Sequence, residues 1–278
     1  MRETMQCGRY DLSFGQSARP LVMGILNITP DSFSDGGVFQ RLESAISRAE
    51  QMIAEGVDII DIGAESTRPG VTPLPDGEEL NRLLPVLYAL RDCGKPVSVD
   101  TRHPTVMREA LLAGADMIND VNGFRTPGAV EAVAESDCGL CIMHMQNSPE
   151  DMQVAPHYEN VVKEVGDFLG AAVVRLQAHG VGKRRICIDP GFGFGKNFEH
   201  NLALFKNLQF LTEGLDMPVL VGVSRKSMIG QLTGKPVQER LAGSVAAALC
   251  AATRGAAIVR VHDVAATVDA LKVWRALT

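Results

Sequence analysis

The stretch Ile-Cys-Ile-Asp-Pro-Gly-Phe-Gly-Phe-Gly-Lys, residues 186–196, reads as a buried strand that ends in a polar loop. Three apolar residues suit a strand that is covered on both faces. Pro190 cannot donate to a sheet ladder, so pairing should stop at Asp189. The glycines allow the backbone to approach a ligand closely. We predict that Asp189, the two phenylalanine rings and Lys196 hold a flat ligand with a polar edge. The alternative is a turn in which Asp189 bonds its own backbone.

From residue 20 onward, apolar β-rich runs alternate with helical patterns, which is typical of a parallel sheet with crossover helices. The predicted strands are 21–26, 57–62, 96–99, 117–118, 140–143, 186–188, 219–223 and 258–261. The predicted helices are 41–54, 78–91, 104–113, 127–134, 159–179, 198–212, 238–252 and 265–276. Eight such units predict one α/β domain at 20–278, a (β/α)8 TIM barrel. The alternative is an open doubly wound sheet. Residues 1–19 form an extension with a hairpin over 5–18.

The composition restricts the class of protein. The chain has 278 residues and a net charge of −6, which argues against a nucleic-acid partner because such proteins carry a basic face. No apolar run reaches membrane-spanning length, and the N-terminus has no signal-peptide core. Six cysteines scattered through apolar segments suit a reducing cytoplasm. Cys138 and Cys141 match C-x-x-C without a second pair, so we interpret them as small buried side chains.

Polar residues follow every predicted strand, which matters because barrel enzymes place their sites at the carboxyl ends of strands. In chain order these residues are Asn27, Glu65, Arg68, Asp100, Arg102, Asn119, Asp120, His144, Asp189, Ser224, Arg225, Lys226, Ser227, Arg260 and His262. A barrel with a purely structural role needs no such ring at one end. The pattern therefore predicts an active site there.

One subset of these side chains suits the edge of a heterocycle. Asp100, Asn119 and Asp189 offer acceptors for the N–H donors of a 2-amino-4-oxo-pyrimidine. The apolar faces around the ring would come from Val121, Met143 and Phe194.

A second subset, Asn27, Arg68, Arg260 and His262, suits phosphate oxygens. The position on the last strand matches the usual phosphate corner of these barrels. Lys226 stands between the two subsets and would reach an anionic group or a ring carbonyl.

The motifs of these segments, taken together and in order, resemble bacterial dihydropteroate synthases. They are LNITPDSFSDG (26–36), DIGAESTRPG (61–70), SVDT (98–101), IND (118–120), MHMQ (143–146), DPGFGFGK (189–196), SRKS (224–227) and RVHDV (260–264). The resemblance covers the chain from about residue 20. It implies a transferase of folate biosynthesis that joins 6-hydroxymethyl-7,8-dihydropterin diphosphate to 4-aminobenzoate and releases pyrophosphate, with Mg²⁺ as cofactor and a homodimeric assembly.

The same resemblance implies roles for matching residues. Asn27 would meet the magnesium–diphosphate group, and Thr67, Arg68, Arg260 and His262 would hold the diphosphate. Asp100, Asn119, Asp189 and Lys226 would hold the pterin, and Phe33, Pro69, Phe194, Lys226 and Ser227 would surround 4-aminobenzoate. The catalytic set would be Asp100, Asp189, Lys226, Arg260 and His262. Two departures are visible: His103 where lysine is common, and Asn147 where glycine is common.

Two other functions compete with this one. A pterin-binding methyltransferase module, which hands a methyl group from methyltetrahydrofolate to a corrinoid protein, would share the barrel and the carboxylates. Only loss of diphosphate requires Asn27 together with Arg260 and His262. A barrel that has lost catalysis is the weaker alternative, because the ring of polar residues has no gap. For the synthase we predict a dissociative substitution, because an electron-rich dihydropterin can share the positive charge left by diphosphate.

Overall fold

The computed structural model describes residues 4–14, 19–28, 38–66, 73–149 and 151–278. The first two strands, β1 (Thr4–Cys7) and β2 (Tyr10–Ser13), pair antiparallel across a turn at Gly8 and Arg9. Gly8 has a φ of +56°, a conformation that suits the tight turn. The predicted N-terminal hairpin is confirmed, and residues 15–18 of its predicted span lie outside the described residues.

The other described strands form one parallel sheet. They are β3 (Leu21–Asn27), β4 (Ile59–Gly63), β5 (Val97–Asp100), β6 (Met117–Asp120), β7 (Gly139–Met143), β8 (Ile186–Asp189), β9 (Leu220–Val221) and β10 (Ile258–Val261). The order is β8-β7-β6-β5-β4-β3-β10-β9. A parallel bridge between Ile188 and Val219 joins the two edges. The ring of strands confirms the (β/α)8 TIM barrel and excludes the open doubly wound sheet.

The helices surround this ring. They are α1 (Val38–Ala54), α2 (Asp76–Leu90), α3 (Pro104–Leu112), α4 (Ala129–Val133), α5 (Val161–Ala178), α6 (Phe198–Lys206), α7 (Leu208–Gly214), α8 (Ser227–Thr233), α9 (Leu241–Ala252) and α10 (Val264–Leu277). The predicted helix at 198–212 is divided at Asn207, whose φ and ψ of −104° and 20° depart from helical values. Helix α8 was not predicted, because its seven residues overlap the polar loop after β9. Within the described part of the chain, no helix has the length and apolar character needed to cross a membrane.

The amino end of the barrel is closed by the hairpin. Its side chains join those from the barrel interior in one buried cluster, which we call the amino-end layer: Met5, Cys7, Leu12, Met23, Ile59, Met117, Cys141, Cys187, Leu220, Ala257 and Ile258. A Cβ on Gly139 would lie 3.0 Å from Met5 Cε and 3.3 Å from Cys7 Cα, so glycine at this position allows the hairpin to pack closely against β7. This layer leaves the carboxyl end as the open mouth.

Both cysteines of the C-x-x-C match are buried, with free thiols. Cys141 belongs to the amino-end layer, whereas Cys138 Sγ lies 3.7 Å from Arg185 Nη2. The interpretation of both residues as small buried side chains is confirmed.

Candidate active site

Four of the strands that contribute a residue to the amino-end layer carry a polar residue two positions further along the chain. Ile59 is followed by Asp61, Met117 by Asn119, Cys187 by Asp189 and Ile258 by Arg260. Side chains alternate along a strand, so these polar residues face the same interior as the apolar ones, one level nearer the mouth. Asp100 on β5 is paired in register with Asn119. We call Asp61, Asp100, Asn119, Asp189 and Arg260 the polar layer.

Arg260 is the centre of the polar layer. Its Nε donates to Asp61 Oδ2 at 2.6 Å, and its Nη2 donates to Asp100 Oδ2 at 2.8 Å. Asn119 Nδ2 donates to the same Asp61 oxygen at 3.3 Å. The prediction of two separate subsets, with Arg260 in the phosphate subset, needs correction. The Arg260 guanidinium lies between Asp61 and Asp100, and Asp100 belongs to the heterocycle subset.

The charges in this layer are not balanced, since one guanidinium faces two carboxylates. Burial raises the pKa of Asp100, the Arg260 guanidinium lowers it and the Asp61 carboxylate raises it again. Burial lowers the pKa of Arg260, but the two carboxylates outweigh that effect and keep the guanidinium charged. Asp61 Oδ1 and Asn119 Oδ1 are buried acceptors without a hydrogen-bond partner among the described residues. A ligand with N–H donors would satisfy such atoms.

Asp189 and Lys226 complete the wall beside Arg260. Asp189 is 5% exposed, and its Oδ1 accepts from Gly191 N at 2.7 Å. Lys226 Nζ donates to Phe192 O and lies 4.7 Å from the centroid of the Phe194 ring. Burial lowers the pKa of Lys226 to about 8, although Asp189 opposes that shift. The lysine therefore lies at the mouth beside the carboxylate, as the sequence predicted.

Lys196 does not face the mouth, contrary to the sequence prediction. Its Nζ contacts His144 Nδ1 at 2.8 Å and donates to Gly191 O at 2.9 Å and Phe194 O at 3.0 Å. Burial lowers the pKa of His144 to about 2, so the ring is neutral, and burial also lowers the pKa of Lys196 well below its usual range. The three contacts of Nζ hold the Lys196 side chain against the glycine loop.

The two phenylalanines of that loop differ in environment. Phe192 is 1% exposed and packs against Phe205, with ring centroids 5.5 Å apart. Phe194 is half-buried and packs against a small apolar cluster that contains Val121 and Met143. The structure therefore brings Val121, Met143 and Phe194 together as one wall, as predicted.

At the mouth, His262 Nδ1 lies 3.0 Å from Ser224 Oγ. Burial, with Arg260 and Arg225 nearby, lowers the pKa of His262 to about 4, so it is neutral at pH 7. Asn27 is exposed at the end of β3, and Ser227 is exposed at the start of α8. The predicted site residues Phe33, Thr67, Arg68 and Pro69 lie outside the described residues.

Sequence reasoning missed Asp61 as a site residue. It is fully buried in a run that otherwise reads Ile59, Ile60 and Ile62, and it was grouped with the strand. An available signal was its position two residues after Ile59, which matches that of Asp189 after Cys187. Asp120 has the simpler role, since its carboxylate accepts from Asn122 N at 2.7 Å and Phe124 N at 2.6 Å.

The departure at Asn147 has a structural explanation. Its φ is +61°, the left-handed region that favours glycine and that asparagine tolerates better than most residues. Asparagine thus preserves the backbone shape where glycine is common.

Comparison with known proteins shows which family shares this sequence and fold. A family model described as pterin binding enzyme matches residues 23–262. The chain is 50% identical over 282 residues to the dihydropteroate synthase of Neisseria meningitidis serogroup B, which covers 99% of this chain and 98% of the relative. The structure of the Burkholderia cenocepacia dihydropteroate synthase complexed with 7,8-dihydropteroate is 54% identical, with a TM-score of 0.90 and coverage of 99% and 96%. The Xanthomonas albilineans dihydropteroate synthase with 4-aminobenzoic acid is 50% identical, with a TM-score of 0.92 and coverage of 100% and 98%.

Proposed function

The chain belongs to the pterin-binding enzyme family, among the dihydropteroate synthases, and from that membership we propose how its polar layer serves the reaction. The enzyme is a transferase that condenses 6-hydroxymethyl-7,8-dihydropterin diphosphate with 4-aminobenzoate to give 7,8-dihydropteroate and pyrophosphate. The observation that carries the residue assignment is the Arg260 guanidinium between Asp61 and Asp100, beside Asp189 at the open mouth. The corrinoid methyltransferase alternative is disfavoured by relatives that match nearly the whole chain.

The pterin would enter the polar layer edge first. The Asp189 carboxylate is buried at the end of β8, and the loop supplies a backbone N–H donor to its Oδ1 only. The carboxylate would therefore accept hydrogen bonds from the amino group and the ring N–H of the pterin. Asn119 Oδ1 and Asp61 Oδ1 are the buried acceptors that a donor-rich edge would satisfy. Val121, Met143 and Phe194 would cover the ring faces, and Lys226 would reach the ring carbonyl.

The diphosphate would lie above this layer. Arg260 uses Nε and Nη2 for Asp61 and Asp100, which leaves Nη1 to donate to a diphosphate oxygen. His262 would contact the same group from β10. Asn27 offers an amide oxygen at the end of β3, and Mg²⁺ accepts such a ligand when diphosphate oxygens and water supply the rest. When bound, Mg²⁺ would neutralise charge on the leaving group.

The substitution would begin with cleavage of the bond between the methylene carbon and the diphosphate oxygen. The electron pair of that bond leaves with the diphosphate. The dihydropterin ring shares the resulting positive charge, and the Asp100 and Asp189 carboxylates would favour that charge because they are already oriented at the ends of their strands. The neutral amine of 4-aminobenzoate then forms the new C–N bond and releases its proton to solvent. Asp61 would act by holding Arg260 and Asn119 in place.

The test of this function is pyrophosphate release from dihydropterin diphosphate, 4-aminobenzoate and Mg²⁺. A second measurement tests the order of bond changes: the bridging oxygen of the substrate is labelled with a heavy isotope and the enzyme is incubated without 4-aminobenzoate. Migration of label into non-bridging positions is expected. Release of pyrophosphate without migration, when occupancy of the site and free rotation of bound diphosphate have been shown, would indicate direct displacement by the amine. Methyl transfer to a corrinoid acceptor without pyrophosphate release would overturn the synthase assignment.

Assembly and location are part of the same proposal. Exposed apolar side chains lie on α8, the turn after it, α9 and α10: Leu232, Val237, Leu241, Val273 and Leu277. We infer a homodimer through this face, to be tested by sedimentation of wild type and Leu241→Glu, for which a shift to monomer is expected. Free Cys141 and Cys187, opposite each other on adjacent strands, support a reducing cytoplasm. Residues 20–278 would unfold as one unit, with 1–19 as an extension whose strands β1 and β2 lie at the amino end.

A further inference from the structure

A second group of ionisable side chains lies outside the polar layer. Glu65 follows β4, Glu79 lies on α2 and His103 directly precedes α3. His103 Nε2 is 3.5 Å from Glu65 Oε2 and 3.8 Å from Glu79 Oε2. One ligand atom from each residue lies within 4.8 Å of the other two. We call Glu65, Glu79 and His103 the rim cluster.

The environment of the Glu79 carboxylate is the first feature that points to a ligand at the rim cluster. The residue is fully buried, and neither of its carboxylate oxygens has a hydrogen-bond partner among the described residues. Burial raises the pKa of Glu79 to about 7, while the nearby Thr101 hydroxyl acts in the opposite direction. A buried carboxylate without a partner is costly, so its place next to two other ligand atoms points to an electrophile between them.

His103 gives an independent reason through its orientation. Its Nδ1 forms an ion pair with Asp76 Oδ1 at 3.1 Å, which orients the ring. The other nitrogen, Nε2, lies near Glu65 and Glu79 and is buried without a hydrogen-bond partner among the described residues. A carboxylate that holds one imidazole nitrogen while the other faces acidic oxygens is the usual arrangement around a metal-binding histidine.

The local charge also favours a divalent cation. Arg102 donates to Glu65 through Nε at 3.1 Å and Nη2 at 3.2 Å, which neutralises one carboxylate. Among the described residues, the ion pairs of Asp76 and Glu79 are with His103, so a neutral His103 leaves both side chains without a cationic partner. One doubly charged cation would balance the group. The competing occupant is a proton on His103, whose pKa is raised by the adjacent Glu65 carboxylate.

We propose that the rim cluster binds one divalent transition-metal ion of the zinc type, through Glu65 Oε2, Glu79 Oε2 and His103 Nε2. One imidazole and two carboxylates suit zinc, whereas Mg²⁺ favours an octahedron of oxygens. The ion would connect the end of β4, helix α2 and the start of α3. This site is separate from the one we propose for Mg²⁺ and diphosphate, and it carries no step of the synthase reaction.

The test is a calorimetric titration of chelator-treated full-length protein with Zn²⁺, in the presence of excess Mg²⁺ and without substrates. One zinc per chain is expected for the wild type. Asp76→Asn should weaken zinc affinity about 10- to 100-fold, because it loosens the imidazole without removing a ligand. His103→Lys keeps a cation in the pocket but removes the imidazole, and Glu79→Gln keeps the shape but removes a charged ligand. Both should lose more affinity than Asp76→Asn. His157→Lys, at an exposed histidine, is the matched control and should bind as the wild type does.

Two further measurements keep the result clear if a variant folds poorly. Zinc should raise the melting temperature of the wild type and of His157→Lys, but not that of His103→Lys. In imidazole nitrogen NMR of the wild type, zinc should convert His103 to the neutral, metal-bound form. Equal zinc binding by wild type and His103→Lys, or a His103 imidazolium that persists at pH 7 with zinc in excess, would overturn the proposal. Since no readout uses substrate, either result leaves the synthase assignment unaffected.

Discussion

The two ends of the barrel use the same strands for opposite purposes. At the amino end, inward side chains from all the barrel strands except β5 pack with Met5, Cys7 and Leu12 of the hairpin in a buried apolar layer. Nearer the carboxyl ends of the strands, the interior holds two carboxylates around one guanidinium. Burying such charges rarely adds stability, whereas burying apolar surface does. The comparison teaches that stability is concentrated at the closed end, which allows the open end to hold unbalanced charge for function.

Replacement of Arg260, at the open end, should have the largest effect on the stability of the protein. Arg260→Met leaves Asp61 and Asp100 buried without a cation, and we expect the free energy of unfolding to fall by about 3–5 kcal/mol. Without the guanidinium, the pKa of Asp100, which burial already raises, rises further above the unfolded value of about 3.9. The native variant then holds protons that the unfolded chain releases, so its stability rises as the pH falls. Urea unfolding at about pH 5 and pH 8 should therefore show a smaller loss at the lower pH.

Arg184→Met is the control for that experiment. Arg184 forms a 3.3 Å pair with Asp11, and both side chains are well exposed. The expected loss is about 1 kcal/mol or less. A similar loss for both variants would show that the Arg260 network is no more than a surface ion pair.

A change at the closed end should affect stability alone. Met5 is fully buried in the amino-end layer, so Met5→Ala should cost about 2–5 kcal/mol of unfolding free energy. Because the layer lies below the polar layer, kcat/KM measured below the melting transition should stay at the wild-type value. Leu112→Ala, at a side chain 82% exposed, should change stability by about 0.5 kcal/mol or less. A marked fall in kcat/KM of folded Met5→Ala would mean that the two ends are coupled.

Asp189→Asn tests which carboxylate at the open end contacts the pterin directly. The amide places a donor where a carboxylate accepts from the pterin, and binding of a pterin analogue should weaken by about 1.5–3 kcal/mol in calorimetry. Asp120→Asn is the matched variant, because Asp120 is also buried at a strand end but bonds Asn122 and Phe124. It should lower stability and leave pterin affinity unchanged. If the two variants bind pterin equally, Asp189 has no direct contact with it.

The smallest expected effect concerns His262. Its pKa is lowered to about 4 in the free protein, and negative charge from a bound diphosphate would raise it. The complex then holds more protons than the free protein, so pyrophosphate affinity should rise as the pH falls, by at most about tenfold per pH unit. His262→Gln should flatten this dependence in titrations at about pH 5, 6 and 7. Parallel curves for wild type and variant would show that only pyrophosphate itself titrates.

Most of the fold was accessible from the sequence because apolar runs and helical patterns repeat without interruption. The errors are at short elements. Strand β6 was predicted to end at residue 118 but extends to Asp120, because Asn119 and Asp120 are polar yet still pair with β7. Strand β9 is shorter than its predicted five residues, and closure of the barrel near it depends on the bridge from Ile188 to Val219.

The site was predictable as a set of residues but not as a network. Sequence position indicated that Asp100, Asn119, Asp189, Lys226 and Arg260 reach one end of the barrel. It did not show that Arg260 reaches across to Asp61 and Asp100, since that contact depends on side-chain length and on the size of the interior. Lys196 shows the opposite error. Its residue type suggested a ligand contact, whereas its Nζ is buried against two loop carbonyls and His144.

The geometry at Gly191 has a consequence for how this enzyme can vary. Its φ is +69°, and a Cβ there would come within 1.8 Å of His144 O. Any other residue at position 191 would therefore force the loop away from Asp189, whose Oδ1 accepts from the Gly191 amide. Position 191 must stay glycine as long as the loop keeps this shape. An inhibitor that binds against Asp189 and this backbone would meet a surface from which escape by point mutation is difficult.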